Sequence, residues 1–220
     1  NDFWLSTEGF NLNPLDEDLF MRNATDIVRR FRHHPSIVMW SMGNEAGPGD
    51  NFKVCYDWIK ANDPTRPVNY ERNPAFADIG ARQYPNISWV KETAAGRENV
   101  KYPFHINEFL HNLNNNAGGI KSFQDVIESS DRILGGALWD FADQGLEAVD
   151  KKTGKRYFAF GGDFGEKPTD GQGILDGIVH ADRTVEPAYH EARHAYQPFD
   201  ARISGDRESV IIESKYYFRD

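Results

Sequence analysis

Cysteine is nearly missing: the 220 residues contain one, Cys55, which rules out an internal disulfide and an all-cysteine metal site. Set among Phe52, Tyr56 and Ile59, it reads as a small core residue rather than a nucleophile. Long apolar runs are missing too, and none approaches the roughly 18 residues that cross a bilayer. The opening Asn1-Asp2-Phe3-Trp4 has neither a starting Met nor a basic stretch leading into an apolar one. No signal peptide is legible there, and the chain is expected to be a fragment of a longer, soluble protein whose compartment stays open. Positive charge is short as well: 25 Lys and Arg face 34 Asp and Glu, for a net charge of -9. With no basic stripe to offset that average, neither nucleic acid nor an anionic membrane is an expected partner. Repeats and low-complexity tracts are absent.

What is present is an ordinary globular composition, 39% hydrophobic and 27% charged, with a high share of aromatics, 13%, whose faces suit both a core and the apolar C–H surface of a sugar ring. Helical and strand-like segments alternate from about residue 15 to about residue 145. Phe20, Ala24, Ile27 or Val28, and Phe31 recur at helical spacing between Asp16 and Phe31. Acidic Asp16, Glu17 and Asp18 open that helix, and Arg29, Arg30 and Arg32 close it, in keeping with the helix dipole, before Pro35 stops it. Ile37-Val38-Met39-Trp40 then reads as a buried strand. Helices are expected over Asn51–Asn62, Ile87–Ala95 and Ile120–Ile133. Strands are expected at Val68–Tyr70, around Ile79–Tyr84, at Phe104–Ile106 and at Ala137–Trp139. Such alternation indicates an α/β fold, a parallel sheet covered by helices. Beyond residue 145, Asp150–Lys155 reads as a polar turn and Gly161–Gly177 as a long ordered loop. Ile203–Asp206 reads as a turn into a strand at Ser209–Phe218, where a β-domain begins.

Two glutamates directly follow apolar strand runs: Glu45 after Trp40-Ser41-Met42-Gly43-Asn44, and Glu108 after Phe104-His105-Ile106-Asn107. Carboxyl ends of parallel strands are where α/β barrels hold catalytic groups. Two carboxylates there suit glycoside hydrolysis, one protonating the departing oxygen and one attacking the anomeric carbon, about 5–5.5 Å apart in a retaining enzyme. Position alone favours a bland reading, in which a glutamate at a strand end caps the next helix.

The surrounding residues reverse that. His34-Pro35-Ser36-Ile37-Val38-Met39-Trp40-Ser41-Met42-Gly43-Asn44-Glu45-Ala46-Gly47 closely resembles the acid/base signature of glycoside hydrolase family 2, in the Trp-Ser-x-Gly-Asn-Glu form of its β-galactosidases. Three further blocks, in the family's order, resemble it as well: Tyr56–Lys60 with Asp63–Glu71, Gly135–Gln144, and Gly161–Gly165 through Gly177 to Ala181–Thr184. The resemblance implies a (β/α)8 TIM barrel, of which this chain carries about the fourth to the eighth strand. Residues 1–198 would form this partial catalytic barrel and 199–220 the start of a β-sandwich domain.

By the same resemblance, Glu45 matches the acid/base and Glu108 the nucleophile of a retaining β-galactosidase. Asn44 matches the residue that bonds the sugar 2-hydroxyl, Tyr84 the tyrosine whose hydroxyl lies by the nucleophile, His111 a histidine on the sugar hydroxyls, and Trp139 the apolar platform under the ring. The implied cofactors are Mg2+, with Glu45 in its shell, and Na+, with Asp176 standing where the family uses Asn; Glu8, a candidate remnant of the segment supplying the other magnesium ligands, is expected to be a surface glutamate instead. The implied partner is a β-galactoside or related oligosaccharide, and the parent is expected to be a homo-oligomer. The nucleophile block departs from the family's Cys-Glu-Tyr-Ala-His-Ala-Met-Gly-Asn-Ser: here it reads Asn107-Glu108-Phe109-Leu110-His111-Asn112-Leu113-Asn114-Asn115-Asn116. The Glu-to-His spacing holds while the loop is remodelled, and that loop bears on sugar preference. Other family 2 β-glycosidases, acting on β-glucuronides, β-mannosides or modified galactan oligosaccharides, are the alternatives. An inactive fragment is another.

One rival comes from another reaction class. His190-Glu191-Ala192-Arg193-His194 matches the zinc-protease pattern H-E-x-x-H, though no third ligand follows and Pro198 closes the segment; a structural helix is the expectation. His33-His34 is expected to end a helix, His105 to be core or to lie behind the site, and Asp163 and Asp182 to order loops.

Overall fold

A computed structural model describes residues 17–113 and 117–216. Glu8, Asp16, Asn114, Asn115, Asn116 and the end of the last expected strand lie outside them. The described residues up to Phe109, with Val126–Ala137, form one compact unit; Leu110–Asp125 and the residues from Leu138 onward form a second.

The first unit opens with α1 (Glu17–Phe31) and α2 (Asn51–Asn62). The apolar stripe of α1 buries Phe20, Ala24 and Val28 against Phe52, Cys55 and Ile59 of α2, with Trp40, Met42, Val68 and Tyr70 completing the core. The ring of Phe52 meets Phe20 edge-on at 5.3 Å and stacks on Tyr70 at 4.0 Å. Cys55 is fully buried there, as its apolar neighbours imply.

Two parallel ladders run through this unit. Strand β1 (Trp40–Ser41) pairs with β2 (Val68–Asn69), Trp40 opposite Val68 and Ser41 opposite Asn69. Strand β3 (Gly80–Gln83) pairs in parallel with β4 (Phe104–Phe109), and β5 (Ile133–Leu138) adjoins β4 on its other side. Helix α3 (Ile87–Ala94) lies between β3 and β4 in sequence, started by the Asn86 side chain, which accepts the Trp89 N–H. Gly80 is required by close packing, since a Cβ there would collide with the Lys101 carbonyl oxygen and the Phe104 ring. The parallel pairs with intervening helices are the expected α/β arrangement.

Two carboxylates knit the loops. Asp63, at the end of α2, accepts hydrogen bonds from Trp40 Nε1 at 2.9 Å and Arg66 at 2.7 Å. Arg66 in turn donates to the carbonyls of Ile37, Arg32 and His34. Asp78 accepts from Tyr56, Lys60 and the Val68 N–H. The hydrogen bond to Asp78 is the main reason that the Tyr56 hydroxyl is pushed up to about 12.

The second unit is built on α5 (Pro187–Ala195), whose Ala188, Ala192 and Ala195 pack with Ala117, Ile120, Ile178 and Val179. Helix α4 (Ile120–Glu128) starts in this unit. Two antiparallel hairpins follow in sequence: β6 (Leu146–Val149) with β7 (Arg156–Ala159), and β8 (Phe199–Ile203) with β9 (Val210–Ser214). Among the described residues no helix is long and apolar enough to cross a membrane.

Several expected boundaries move. The strand expected from Ile37 begins at Trp40, because the Ile37 carbonyl is taken by Arg66 and Val38 is 69% exposed. Helix α4 ends at Glu128 rather than Ile133; Ser129 and Ser130 turn the chain with their hydroxyls on backbone carbonyls, and Ile133 opens β5. The polar turn at Asp150–Lys155 joins a hairpin whose strands were not expected, and within the Gly-rich loop Gly171–Ile174 form a short 3-10 turn.

Candidate active site

Strand ends in the first unit set out four of the expected residues. Asn44 and Glu45 follow β1, Tyr84 follows β3, and Glu108 sits one residue from the end of β4. Glu45 and Tyr84 have positive φ, 53° and 47°, a conformation that side-chain-bearing residues rarely adopt and that concentrates at functional sites.

Glu108 is aimed by a bulge. Arg82 stands opposite Ile106, yet the next residue, Gln83, stands opposite Glu108, so Asn107 is skipped. One extra residue reverses the alternation of side chains along a strand, and in β4 both Glu108 and Phe109 are buried in succession. The skipped Asn107 is held from both sides: its side-chain oxygen accepts from Asn69 Nδ2 at 2.7 Å and lies 3.0 Å from His105 Nδ1. His105 thus contacts the residue that precedes Glu108. The Glu108 carbonyl accepts the Tyr84 N–H at 2.7 Å, which ties the tyrosine to the strand bearing the glutamate.

Glu45 is open to solvent, its side chain 45% exposed, with Arg72 Nη2 3.2 Å from its Oε1. Its N–H donates to Glu71 Oε1 at 2.8 Å. Beside it, the Asn44 side-chain oxygen accepts from Gln83 Nε2 at 2.6 Å, which turns the Asn44 amide nitrogen away from Gln83. Glu45, Glu71, Arg72, Gln83 and Tyr84 line one cavity of about 760 Å3. Glu71, Arg72 and Gln83 were not singled out from the sequence, because Asn44 and Glu45, which they contact, lie 26 or more residues away and no local pattern marks them.

The remaining expected residues belong to the second unit. Asp176, 2% exposed, gathers two of them: its Oδ2 accepts from Trp139 Nε1 at 2.9 Å and lies 3.5 Å from His111 Nε2. Burial, with the nearby Asp140 charge, raises the Asp176 carboxyl above its usual range, against the pull of His111 and Trp139. Trp139 is 37% exposed, so part of its ring stays open for contact. Asn112 fixes the backbone beneath: its N–H donates to the Trp139 carbonyl, and its side chain donates to the Gly177 carbonyl and Glu186.

The metal expectations fare differently. Asp176 Oδ1 is buried without a hydrogen-bond partner, so it fits one place in a sodium shell. Glu45 has Arg72 as its partner, and no group of three or more His, Cys, Asp or Glu that could hold a metal occurs among the described residues, so a magnesium shell that includes Glu45 would draw its other ligands from the longer protein. The zinc-protease pattern loses its central acid, since Glu191 accepts the N–H groups of Gly119 and Lys121 at the start of α4. Asp163 accepts the Phe160 N–H and Asp182 the Thr184 N–H, each within its own loop.

Comparison with known proteins bears on the family and the fold. The family model described as glycosyl hydrolases family 2, TIM barrel domain, matches residues 5–201. Beta-galactosidase 2 of Enterobacter cloacae is 38% identical over 210 residues, 89% of this chain and 20% of that protein. A β-galactosidase of Leuconostoc mesenteroides subsp. mesenteroides is 35% identical over 218 residues, 91% of this chain and 21% of the relative. The chain thus spans about a fifth of the length of the curated relatives it matches. Among solved structures, a family 2 β-galacturonidase from Eisenbergiella tayi bound to galacturonate superposes with a TM-score of 0.57 at 15% identity, over 88% of this chain and 39% of that one. The Bifidobacterium dentium β-glucuronidase complexed with coumarin-3-O-glucuronide gives 0.52 at 20% identity, over 83% and 34%. These two likenesses show the fold, a partial TIM barrel.

Proposed function

Because this chain belongs to glycosyl hydrolase family 2, we propose that it is the catalytic-barrel segment of a larger retaining β-galactosidase that removes terminal β-galactosyl residues. The observation carrying the proposal is the position of Glu45 after β1 and Glu108 near the end of β4, within a chain 35–38% identical to proteins named β-galactosidases. Residues 1–198 are assigned to the barrel and 199–220 to the start of a β-sandwich domain, whose first hairpin would be β8–β9.

Chemistry at such a pair runs in two displacements. A Glu108 oxygen attacks the anomeric carbon as the glycosidic bond breaks, and the Glu45 proton passes to the departing oxygen, releasing the alcohol. Glu45, now a carboxylate, takes a proton from water; the resulting hydroxide displaces Glu108, and two inversions give net retention. The near-complete burial of Glu108, 8% exposed, supports the nucleophile role, since a desolvated carboxylate held by its strand attacks without reorganising water. The exposure of Glu45 suits a group that must exchange protons with solvent. Asn44 donates to the 2-hydroxyl, Tyr84 stands by the nucleophile, His111 meets sugar hydroxyls and Trp139 forms the apolar platform. Asp176, shared by His111 and Trp139, would orient both. A sodium ion on its open oxygen would offset its buried charge, and a magnesium ion beside Glu45 would take its remaining ligands from the longer protein.

The test is hydrolysis of aryl β-galactoside, β-glucuronide and β-mannoside by the longer protein, with Glu45→Gln and Glu108→Gln alongside. The galactoside is expected to be cleaved, with activity down about 10²–10⁴-fold for Glu45→Gln and at background for Glu108→Gln. Cleavage of the glucuronide or mannoside instead would move the protein to another family 2 specificity. Full activity in Glu108→Gln would remove the nucleophile assignment.

A further inference from the structure

We infer that Glu71 is a positioning residue for Glu45, working with Arg72 to hold the acid/base carboxyl in its working orientation; this rests on the acid/base role proposed for Glu45. The chain leaves β1 and turns into a left-handed conformation at Glu45, φ 53°, which is unfavourable for a residue with a side chain. Something must hold that turn. Glu71 does so directly, its Oε1 accepting the Glu45 N–H at 2.8 Å. The parallel register delivers it: Ser41 stands opposite Asn69, and both strands then run on toward the same end, to Glu45 and Glu71.

The side chain of Glu71 is only 3% exposed, and its second oxygen, Oε2, is buried with no hydrogen-bond partner. A carboxylate so placed gives up much of its hydration and is a poor choice for stability alone; a leucine or glutamine would fill the space at lower cost. Arg72 completes the arrangement. Its Nε lies 3.6 Å from Glu71 Oε1 and its Nη2 lies 3.2 Å from Glu45 Oε1, so one rigid guanidinium spans both carboxylates. Glu71 therefore fixes the Glu45 backbone through the N–H and its side chain through Arg72, and all three line the same cavity.

A group that aims a general acid reveals itself through the leaving group. Departure of a poor leaving group needs a proton in the transition state, and departure of a very good one does not. In the full-length protein, Glu71→Leu is expected to lower kcat/KM about 10²-fold on an alkyl β-galactoside, the scale of a misplaced reacting group, and to leave a dinitrophenyl β-galactoside nearly unchanged. Glu71→Gln, which keeps an acceptor oxygen, should retain most activity on both. Arg72→Gln, at an exposed position, should show the same leaving-group dependence on a smaller scale and serves if Glu71→Leu does not fold. Equal losses on both substrates, or no loss on either, in a variant that melts like the parent would overturn the inference. So would a Glu71→Gln enzyme as impaired as Glu45→Gln, which would make Glu71 a proton donor itself. If Glu45→Gln shows no leaving-group dependence, the acid/base assignment fails instead, and the two failures are told apart.

Discussion

At Asp63, four side chains and backbone groups converge on one carboxylate. Burial works to raise its pKa, but the hydrogen bonds from Thr65, Trp40 and Arg66 outweigh it and bring it down to about 2. A folded value below the unfolded one means stability that is present above about pH 4 and lost as the pH falls toward 2. The shift corresponds to about 2 kcal/mol. Asp63→Asn is expected to lower the melting temperature at pH 7, with the gap to the parent closing as the scans approach pH 2.5. Tyr84 invites a second substitution: Tyr84→Phe keeps the ring and its left-handed backbone, so the fold should survive while kcat falls by tenfold or more (about 1.4 kcal/mol of transition-state stabilisation), seen as lost turnover with an unchanged melt. Glu45 was legible because it closes an apolar run inside a longer family-like block, and Glu108 because it closes another such run and keeps the family's Glu-to-His spacing in a remodelled block. Glu71, Arg72 and Gln83 were not, because what marks them is a contact with a distant strand end rather than a pattern of neighbours.

Helices were the most legible elements. The apolar positions of α1 and α2 repeat at helical spacing, and their buried faces are the ones that pattern implies. Strands were harder, since β1 and β2 are two residues each and their pairing depends on Pro67 and Asn69 carbonyls that receive the Trp40 and Met42 N–H groups. Hairpin β6–β7 and strand β8 escaped because their residues are largely exposed and give no buried alternation, whereas β9 lies within the strand expected at Ser209–Phe218. The bulge at Asn107 left no trace in the residue types at all. At this scale Gly80 offers the sharpest test. Gly80→Ala drives a methyl into the Lys101 carbonyl at the start of β3, where backbone cannot swing aside. A loss of about 1–3 kcal/mol is expected, as for other overpacked sites, measured by urea unfolding.

As a whole, the chain carries its apolar surface unevenly. Phe199, Ile203, Val210 and Ile212 on the β8–β9 hairpin are all exposed, Ile212 by 68%, and a two-stranded ribbon with open edges is a template for association. The 220 residues on their own are therefore expected to associate in solution, and Ile203→Lys with Ile212→Lys to shift them toward monomer in sedimentation. Suppression of association without any change in the longer protein would support the assignment of this hairpin to a domain that covers it. The overall α/β class was legible from the alternation of elements, but the barrel came from family resemblance. Nothing in composition or spacing counts strands that another part of a protein must supply.

Asn107 also limits how such a chain can drift over generations. Letters in the segment behind Glu108 are free to change, as the remodelled run after His111 illustrates. Length is not. Deleting a single codon between Ile106 and Glu108 would straighten β4 and turn the glutamate onto the opposite face, silencing the chemistry without touching either carboxylate. Lineages that keep the reaction should vary in spelling across this strand and agree in its residue count.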